Sequence, residues 1–465
     1  MSRLRRMALP AALAVAASGT MIALAPAASA AAPCDTTSTP YTYVVLYQPQ
    51  TPSRTVDAEL GAKCGTKVAY YSEIGVAIAS SRNTDFADRL GVFRAYSGAK
   101  DVASQSAARR SSFGAVRTLE DTASVAAGDE DLSAQQWDMR AIHAPEANKI
   151  NQGSRRVTVG VLDSGILASH PALSAAVDPA ASAGCVTGAA DTTPASWAPT
   201  TSDHGTHVAG TIAGKDTARG FTGIAPGVRL ASVKVVNDDG FIFPESAICG
   251  FMWAGKHGFA VTNNSYFIDP GMFYCPKQPG DAAAFEAVRR AVTFSTRHGV
   301  LNVAAAGNSG FDVTKQTTDP VRSHPVDSSC GILPKAIDGV VTVSAVGFAG
   351  TKSSFSNYGA ISVTAPGGDF SQTPPPGQGD VCPLSTTVFG GDYGTKCGTS
   401  MASPHAAGVL ALLASRFPGA SPGLLTRLLE FEADPVACSD TVCSGPSRNN
   451  TYYGHGQVNA LDAVR

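Results

Sequence analysis

The chain has 465 residues, 44% of them hydrophobic and 15% charged, with a formal net charge of -2. That balance supplies a large core and argues against nucleic acid or an anionic membrane as a partner. The length fits one large domain with a smaller companion.

Residues 1–30 read as a signal peptide. Arg3, Arg5 and Arg6 precede an apolar run from Met7 to about Pro26, and Ala28-Ser29-Ala30 offers a small-residue cleavage site. A membrane anchor is the alternative, disfavoured because Pro10 and Pro26 bracket a short apolar stretch. The 10 cysteines agree with export to an oxidising compartment, and their even number permits a full set of disulfides. Closeness in sequence suggests Cys34 with Cys64, Cys382 with Cys397, and Cys438 with Cys443. No paired C-x-x-C spacing points to structural zinc. The expected location is therefore secreted and extracellular.

Residues 33–102 form a small unit. Strands are expected at 43–47, 67–71 and 75–79 and near Phe93, with helices at 55–62 and 84–90. This β-α-β-β-α-β order is that of a ferredoxin-like α+β unit. Residues 103–132 are rich in Ser, Ala, Gly, Asp and Arg without periodicity, and read as an exposed linker. Within it Arg109-Arg110 is either a protease site or two solvated arginines.

Residues 133–465 change pattern. Apolar β-branched runs at 157–162, 230–236, 259–262, 300–305, 340–346 and 361–365 predict strands. Helical stretches are predicted at 204–213, 246–257, 283–298, 403–416 and 422–432. Apolar strands between helices predict an α/β fold: a mostly parallel central sheet with helices on both faces.

In such sheets sites form at the carboxyl ends of strands. Asp163 closes the run 157–162, Ser265 follows 261–264, and Asn308 follows 303–307. His204 and Ser400 each stand at a helix start. A serine hydroxyl needs a base to take its proton, and histidine has a suitable pKa. The histidine needs a carboxylate to fix its tautomer, and the tetrahedral intermediate needs donors for its oxyanion. Asp163, His204 and Ser400 fit the first roles. The Asn308 amide and the Ser400 N–H fit the oxyanion hole. Gly398 and Gly307 are expected to leave room for substrate backbone. Taken singly, each polar residue is as easily a turn or a cap. His207 and His405 read as structural.

Together these segments carry a resemblance. Val161-Leu162-Asp163-Ser164-Gly165-Ile166, His204-Gly205-Thr206-His207-Val208-Ala209-Gly210-Thr211, Ala304-Ala305-Ala306-Gly307-Asn308 and Gly398-Thr399-Ser400-Met401-Ala402-Ser403-Pro404-His405 occur in that order. The chain resembles the subtilisin-like serine proteases, or subtilases, over roughly 133–465, and the Asp, His, Ser order is theirs. The resemblance implies a secreted serine endopeptidase, a peptide or protein substrate, and no cofactor for the chemistry. It implies that the small unit is a propeptide that inhibits its own enzyme, shed by a cut between about 100 and 133. A monomer is expected. A catalytically silent binding protein and a non-proteolytic acyl hydrolase are the rival readings.

The chain departs from the family pattern in three places. Where the family usually has Ser-Leu-Gly-Gly on its substrate-binding strand, Ser265-Tyr266-Phe267-Ile268 stands here, so a narrower cleft and a restricted substrate range are expected. Ser265, Tyr266, Phe267 and Gly307 are the expected substrate-binding residues. Two added loops, 269–282 and 311–337, could be stapled by Cys275 and Cys330. His170-Pro171 is followed by Ala172, not by the family's calcium-binding Asp, so that site is doubtful and structural calcium stays open. Cys397 lies close to Ser400, and a disulfide with Cys382 is favoured over a functional thiol.

Overall fold

The computed structural model describes residues 33–104, 121–125, 131–322 and 324–465. The signal segment and most of the linker, with Arg109-Arg110, lie outside the described residues. The small unit runs β1 (Tyr41–Leu46), α1 (Ser53–Ala62), β2 (Gly65–Tyr71), β3 (Val76–Ser81), α2 (Phe86–Leu90) and β4 (Ala95–Tyr96). Its sheet order is β2-β3-β1-β4, antiparallel throughout. Alternation along β1 splits its side chains between two cores. Tyr43 and Val45 pack with Val56 and Leu60 of α1 and Phe86 of α2. Val44 faces the other way, with Val76 and Ile78, into a core shared with the helices Pro244–Lys256 and Asp281–Arg297.

Polar contacts fix that docking. Arg290 donates to the carbonyls of Tyr47 (2.8 Å) and Ile74 (2.9 Å), and the Tyr71 hydroxyl donates to the Gly188 carbonyl (2.8 Å).

The small unit ends in the helix α3 (Gly98–Ser104), which runs two residues into the segment expected to be linker, and the strand β5 (Asp121–Val125) lies within that segment. The large unit adds β6 (Thr158–Asp163), β7 (Ala183–Gly184), β8 (Lys215–Asp216), β9 (Phe221–Thr222), β10 (Arg229–Lys234) and β11 (Val261–Asn264). It continues with β12 (Leu301–Ala305), β13 (Val341–Val346), β14 (Val363–Pro366), β15 (Leu384–Thr386) and β16 (Tyr393–Lys396). The central sheet has seven strands, ordered β14-β13-β12-β11-β6-β10-β7. Every pairing in it is parallel. β5 joins the edge of β16, antiparallel. Its sequence gives no strand period. An edge with unpaired N–H and C=O groups can order a neighbouring segment without one.

Helices cover both sheet faces. Val159 and Val161 of β6 face the helices His204–Ala213 and Thr399–Arg416, through Val208, Ile212, Met401 and Leu410. Leu162 faces the core containing Ile248, Phe251, Ala287 and Val288. The helix expected from residue 403 starts earlier, at Thr399, and holds Pro404 inside it. Ser421 caps Pro422–Glu432 by accepting from the Leu424 N–H, with Pro in the first turn.

Disulfides join Cys275 to Cys330, Cys382 to Cys397 and Cys438 to Cys443, as expected, and Cys397 is no free thiol. Cys185–Cys249 was not anticipated, since 64 residues separate its partners. Cys34 and Cys64 are also disulfide-bonded. Among the described residues no helix is long and apolar enough to cross a membrane.

Glu245, in the first turn of Pro244–Lys256, is 3% exposed and packs against Gly188, whose other neighbour is Ile78 of the small unit. Burial pushes its carboxyl up to about 7. The folded chain thus holds a proton that the unfolded chain releases near pH 4.5, so stability falls as pH rises toward 7. Glu245→Gln is expected to remove about 2 kcal/mol of the stability difference between pH 5 and pH 8, measured by urea unfolding.

Candidate active site

The parallel sheet brings the polar strand ends together. Asp163 is the last residue of β6 and 1% exposed. Ser265 directly follows β11, while Gly307 and Asn308 follow β12. His204 opens one helix, and Ser400 lies in the first turn of another. Asp163, His204, Ser265, Tyr266, Phe267, Gly307, Asn308 and Ser400 all line one cleft of about 580 Å³. The structure therefore gathers every residue expected at the site.

The His204 Nδ1 lies 2.8 Å from Asp163 Oδ1 and 3.0 Å from Oδ2. The Ser164 N–H also donates to Asp163 Oδ1 (2.7 Å). This arrangement fixes Nδ1 as the nitrogen facing the carboxylate. Gly205 permits the approach: a Cβ there would stand 2.6 Å from the Gly165 carbonyl and 3.0 Å from the Asp163 Cβ.

Ser400 is held through Ser265. Pro404 has no N–H to give the carbonyl four residues back, which is that of Ser400. The Ser265 hydroxyl donates to that carbonyl instead (2.8 Å). Asn263 Nδ2 donates in turn to Ser265 Oγ (2.8 Å), and Ser403 Oγ donates to Asn263 Oδ1 (2.7 Å). Ser400 Oγ lies 3.3 Å from the Ser265 carbonyl. Asn263 and Ser403 were missed in the sequence. Their signal was Pro404 within an otherwise helical run, which implies a carbonyl in need of a donor.

The Asn308 side chain is oriented by its oxygen. Its Oδ1 accepts from the Thr399 N–H and hydroxyl, both at 2.8 Å, which turns Nδ2 away from that pair. Gly398 lies against the amide, with a Cβ position 3.2 Å from Nδ2. At Gly307 the expected reason needs correction. Its φ is +101°, and a Cβ would stand 2.5 Å from Asn357 Nδ2. Asn357, not substrate, claims that space. It donates to the Ala306 carbonyl (3.1 Å) and accepts from the Ser309 N–H (2.9 Å), so it shapes the loop that carries Asn308. Nothing in the sequence marked it.

His207 and His405 serve packing. His207 is buried against the Gly394 carbonyl (3.1 Å). Burial, then the positive neighbours Lys396 and His204, hold it well below its ordinary pKa. His405 is buried between the Met401 carbonyl (2.8 Å) and the Asp138 carboxylate (3.1 Å).

Tyr266 turns into the core beside the cleft, where its hydroxyl donates to Asn264 Oδ1 (3.0 Å), and burial pushes that hydroxyl well above its ordinary pKa. Phe267 packs with Met272, Phe273 and Ile332 of the two added loops. Near His170, Ala172 brings no carboxylate, Tyr393 donates to Asp216 Oδ2 (2.7 Å), and Arg219 sits over the Tyr393 ring. These residues do not fit a calcium ion at the family's position. Elsewhere Cys275, Asp281 and His324 cluster within ligand distance, but the Cys275 sulfur is spent in its disulfide.

The Subtilase family model matches residues 154–456, more than half of the chain. The chain belongs to the subtilase family. It is 32% identical over 310 residues to subtilisin DY of Bacillus licheniformis, covering 66% of this chain and 91% of that protein. It is 32% identical to subtilisin BL of Lederbergia lenta, covering 71% and 98%. An epidermin leader peptide processing serine protease from Staphylococcus aureus shares the fold, with a TM-score of 0.67 at 20% identity over 92% of this chain and 98% of that one. This subtilase is thus a serine endopeptidase acting on peptide or protein substrates, and its chemistry needs no cofactor.

Ser265→Ala would remove the hydroxyl that donates to the buried Ser400 carbonyl. It is expected to cost about 1–3 kcal/mol in urea unfolding, and unchanged stability would contradict the assigned bond.

Proposed function

We propose that this subtilase is a secreted endopeptidase that cuts peptide bonds through an Asp163–His204–Ser400 triad and is made as an autoinhibited precursor. The observation that carries the reading is the Asp163–His204 hydrogen bond, 2.8 Å, at one cleft with Ser400 and Asn308. Ser400 Oγ attacks the scissile carbonyl carbon, while His204 Nε2 takes the hydroxyl proton. The carbonyl electrons move onto oxygen, where Asn308 Nδ2 and the Ser400 N–H stabilise the charge. The tetrahedral intermediate expels the amine, which receives the proton from His204, leaving an acyl-enzyme. Water then repeats the sequence and frees Ser400. Asp163 stabilises the imidazolium throughout.

The precursor reading is supported by the apolar docking of residues 33–102 on two helices of the large unit and by the hydrogen bonds from Arg290. The cut that sheds the small unit lies between about 100 and 133. The pairing of Asp121–Val125 with β16, whose residues 394–396 line the cleft, favours a cut before Asp121. The disulfides fit an extracellular location. The enzyme acts as a monomer.

Ser400→Ala is expected to abolish peptide hydrolysis. Asn308→Ala is expected to lower kcat by about 10²–10³ with little change in KM, the range for loss of one such donor in subtilisin, a relative. Retained activity in Ser400→Ala would sink the mechanism. Phe267 narrows the non-prime cleft, so a restricted substrate range is expected, and Phe267→Gly should broaden cleavage across a panel of unrelated denatured proteins. A parent enzyme that already cuts the whole panel equally would refute the restriction.

A further inference from the structure

The loops 269–282 and 311–337 take no part in the chemistry above. They are tied by Cys275–Cys330 and by paired backbone between Tyr274 and Gly331, whose N–H groups and carbonyls exchange bonds of 2.9 Å. At their centre Arg322, with a side chain 10% exposed, grips Asp281 with two bonds of 2.7 and 3.1 Å and lies over the Tyr274 ring. Gly271 leaves the room the guanidinium fills.

The outer side of this loop pair meets the end of the small unit. The Gly280 N–H donates to the Val92 carbonyl (2.6 Å). Tyr96 meets Tyr274 edge-to-face, with centroids 6.2 Å apart, and donates through its hydroxyl to Asp101 Oδ2 (2.9 Å). That carboxylate oxygen is 3.7 Å from Arg322 Nη1. Gly98 closes against the large unit, where a Cβ would stand 2.6 Å from Phe243 Cδ1 and 3.4 Å from the Asp269 carbonyl.

Charge alone does not explain the contact, because Asp101 approaches an arginine already flanked by Asp281 and Asp319. Shape does. Gly98 and Gly280 let backbone and ring approach closely, and the tyrosine pair fills the space between.

We propose that the stapled loop pair, with Phe243, is a receptor for the end of the small unit, β4 and α3 over residues 95–104, and so decides which inhibitory unit this protease accepts. The docking stands on the contacts alone, while its effect on inhibition rests on the precursor reading.

The test uses the full-length chain. In a Ser400→Ala background, which keeps the chain whole, Gly98→Val is compared with Gly61→Ala, a position on α1 with nothing within 4 Å of its Cβ site. Gly98 is not among the residues of positive φ, so valine there adds bulk without backbone strain. Hydrogen exchange at residues 95–104 is expected to rise about 10-fold in Gly98→Val, with strand 41–46 still protected and Gly61→Ala like its parent. Unchanged exchange at 95–104, or equal loss of protection at 41–46, overturns the docking. With Ser400 intact, Gly98→Val should shorten the lag before activity appears. A parent chain without any lag would overturn the precursor reading itself, and an unchanged lag beside altered exchange would overturn the receptor's role in acceptance.

Discussion

A carboxylate buried at the end of a central strand is costly unless partners meet its charge. Asp163 is met by the His204 imidazole and by the Ser164 N–H. Much of the surrounding architecture follows from that need. The helix His204–Ala213 must begin beside the end of β6, and Gly205 must lack a side chain for it to do so. Lys396 pairs with Asp203 at 3.1 Å, just before the histidine. Burial works to raise the Asp203 pKa, but Lys396 and the Val388 N–H hold it below its ordinary value. The residue next to His204 in sequence therefore stays charged and anchored.

The Ser400 side of the cleft is organised by a proline. Pro404 removes a backbone donor from the helix that carries Ser400, and a chain of side chains from β11 restores what was removed. The result couples the strand end at Ser265 to the helix start at Ser400 without requiring a covalent link. On the third side, Thr399 holds Asn308 by its oxygen, so the amide nitrogen is the end left for the cleft. Three strand ends and two helix starts thus constrain one another, and the sheet sets their spacing.

Legibility in the sequence followed the range of the forces involved. Six of the seven central strands and the helices at 204–213 and 422–432 were readable because β-branched runs, caps and punctuation act locally, while the two-residue strand β7 carries no such run and was missed. That Asp163, His204, Ser400 and Asn308 would share one cleft was readable because sites in parallel α/β sheets gather at strand ends and helix starts. Contacts made across the fold were not readable. Asp138 with His405, Cys185 with Cys249, and Asn357 beneath Gly307 each join segments whose proximity only the folded chain creates. β5 was missed because its partner strand, not its own composition, orders it. The role of Gly307 was misjudged for the same reason: a missing Cβ shows that space is needed, but not which neighbour needs it.

The central claim is that Ser400 is an activated nucleophile in a chain that sheds its small unit. The most direct measurement treats the protein, expressed from the full chain, with a fluorophosphonate and reads intact mass with peptide mapping, beside Ser400→Ala. The predicted result is a single adduct on Ser400, on a chain lacking about the first hundred residues, and none in the variant. A chain that has lost its small unit and still takes no adduct would contradict the claim.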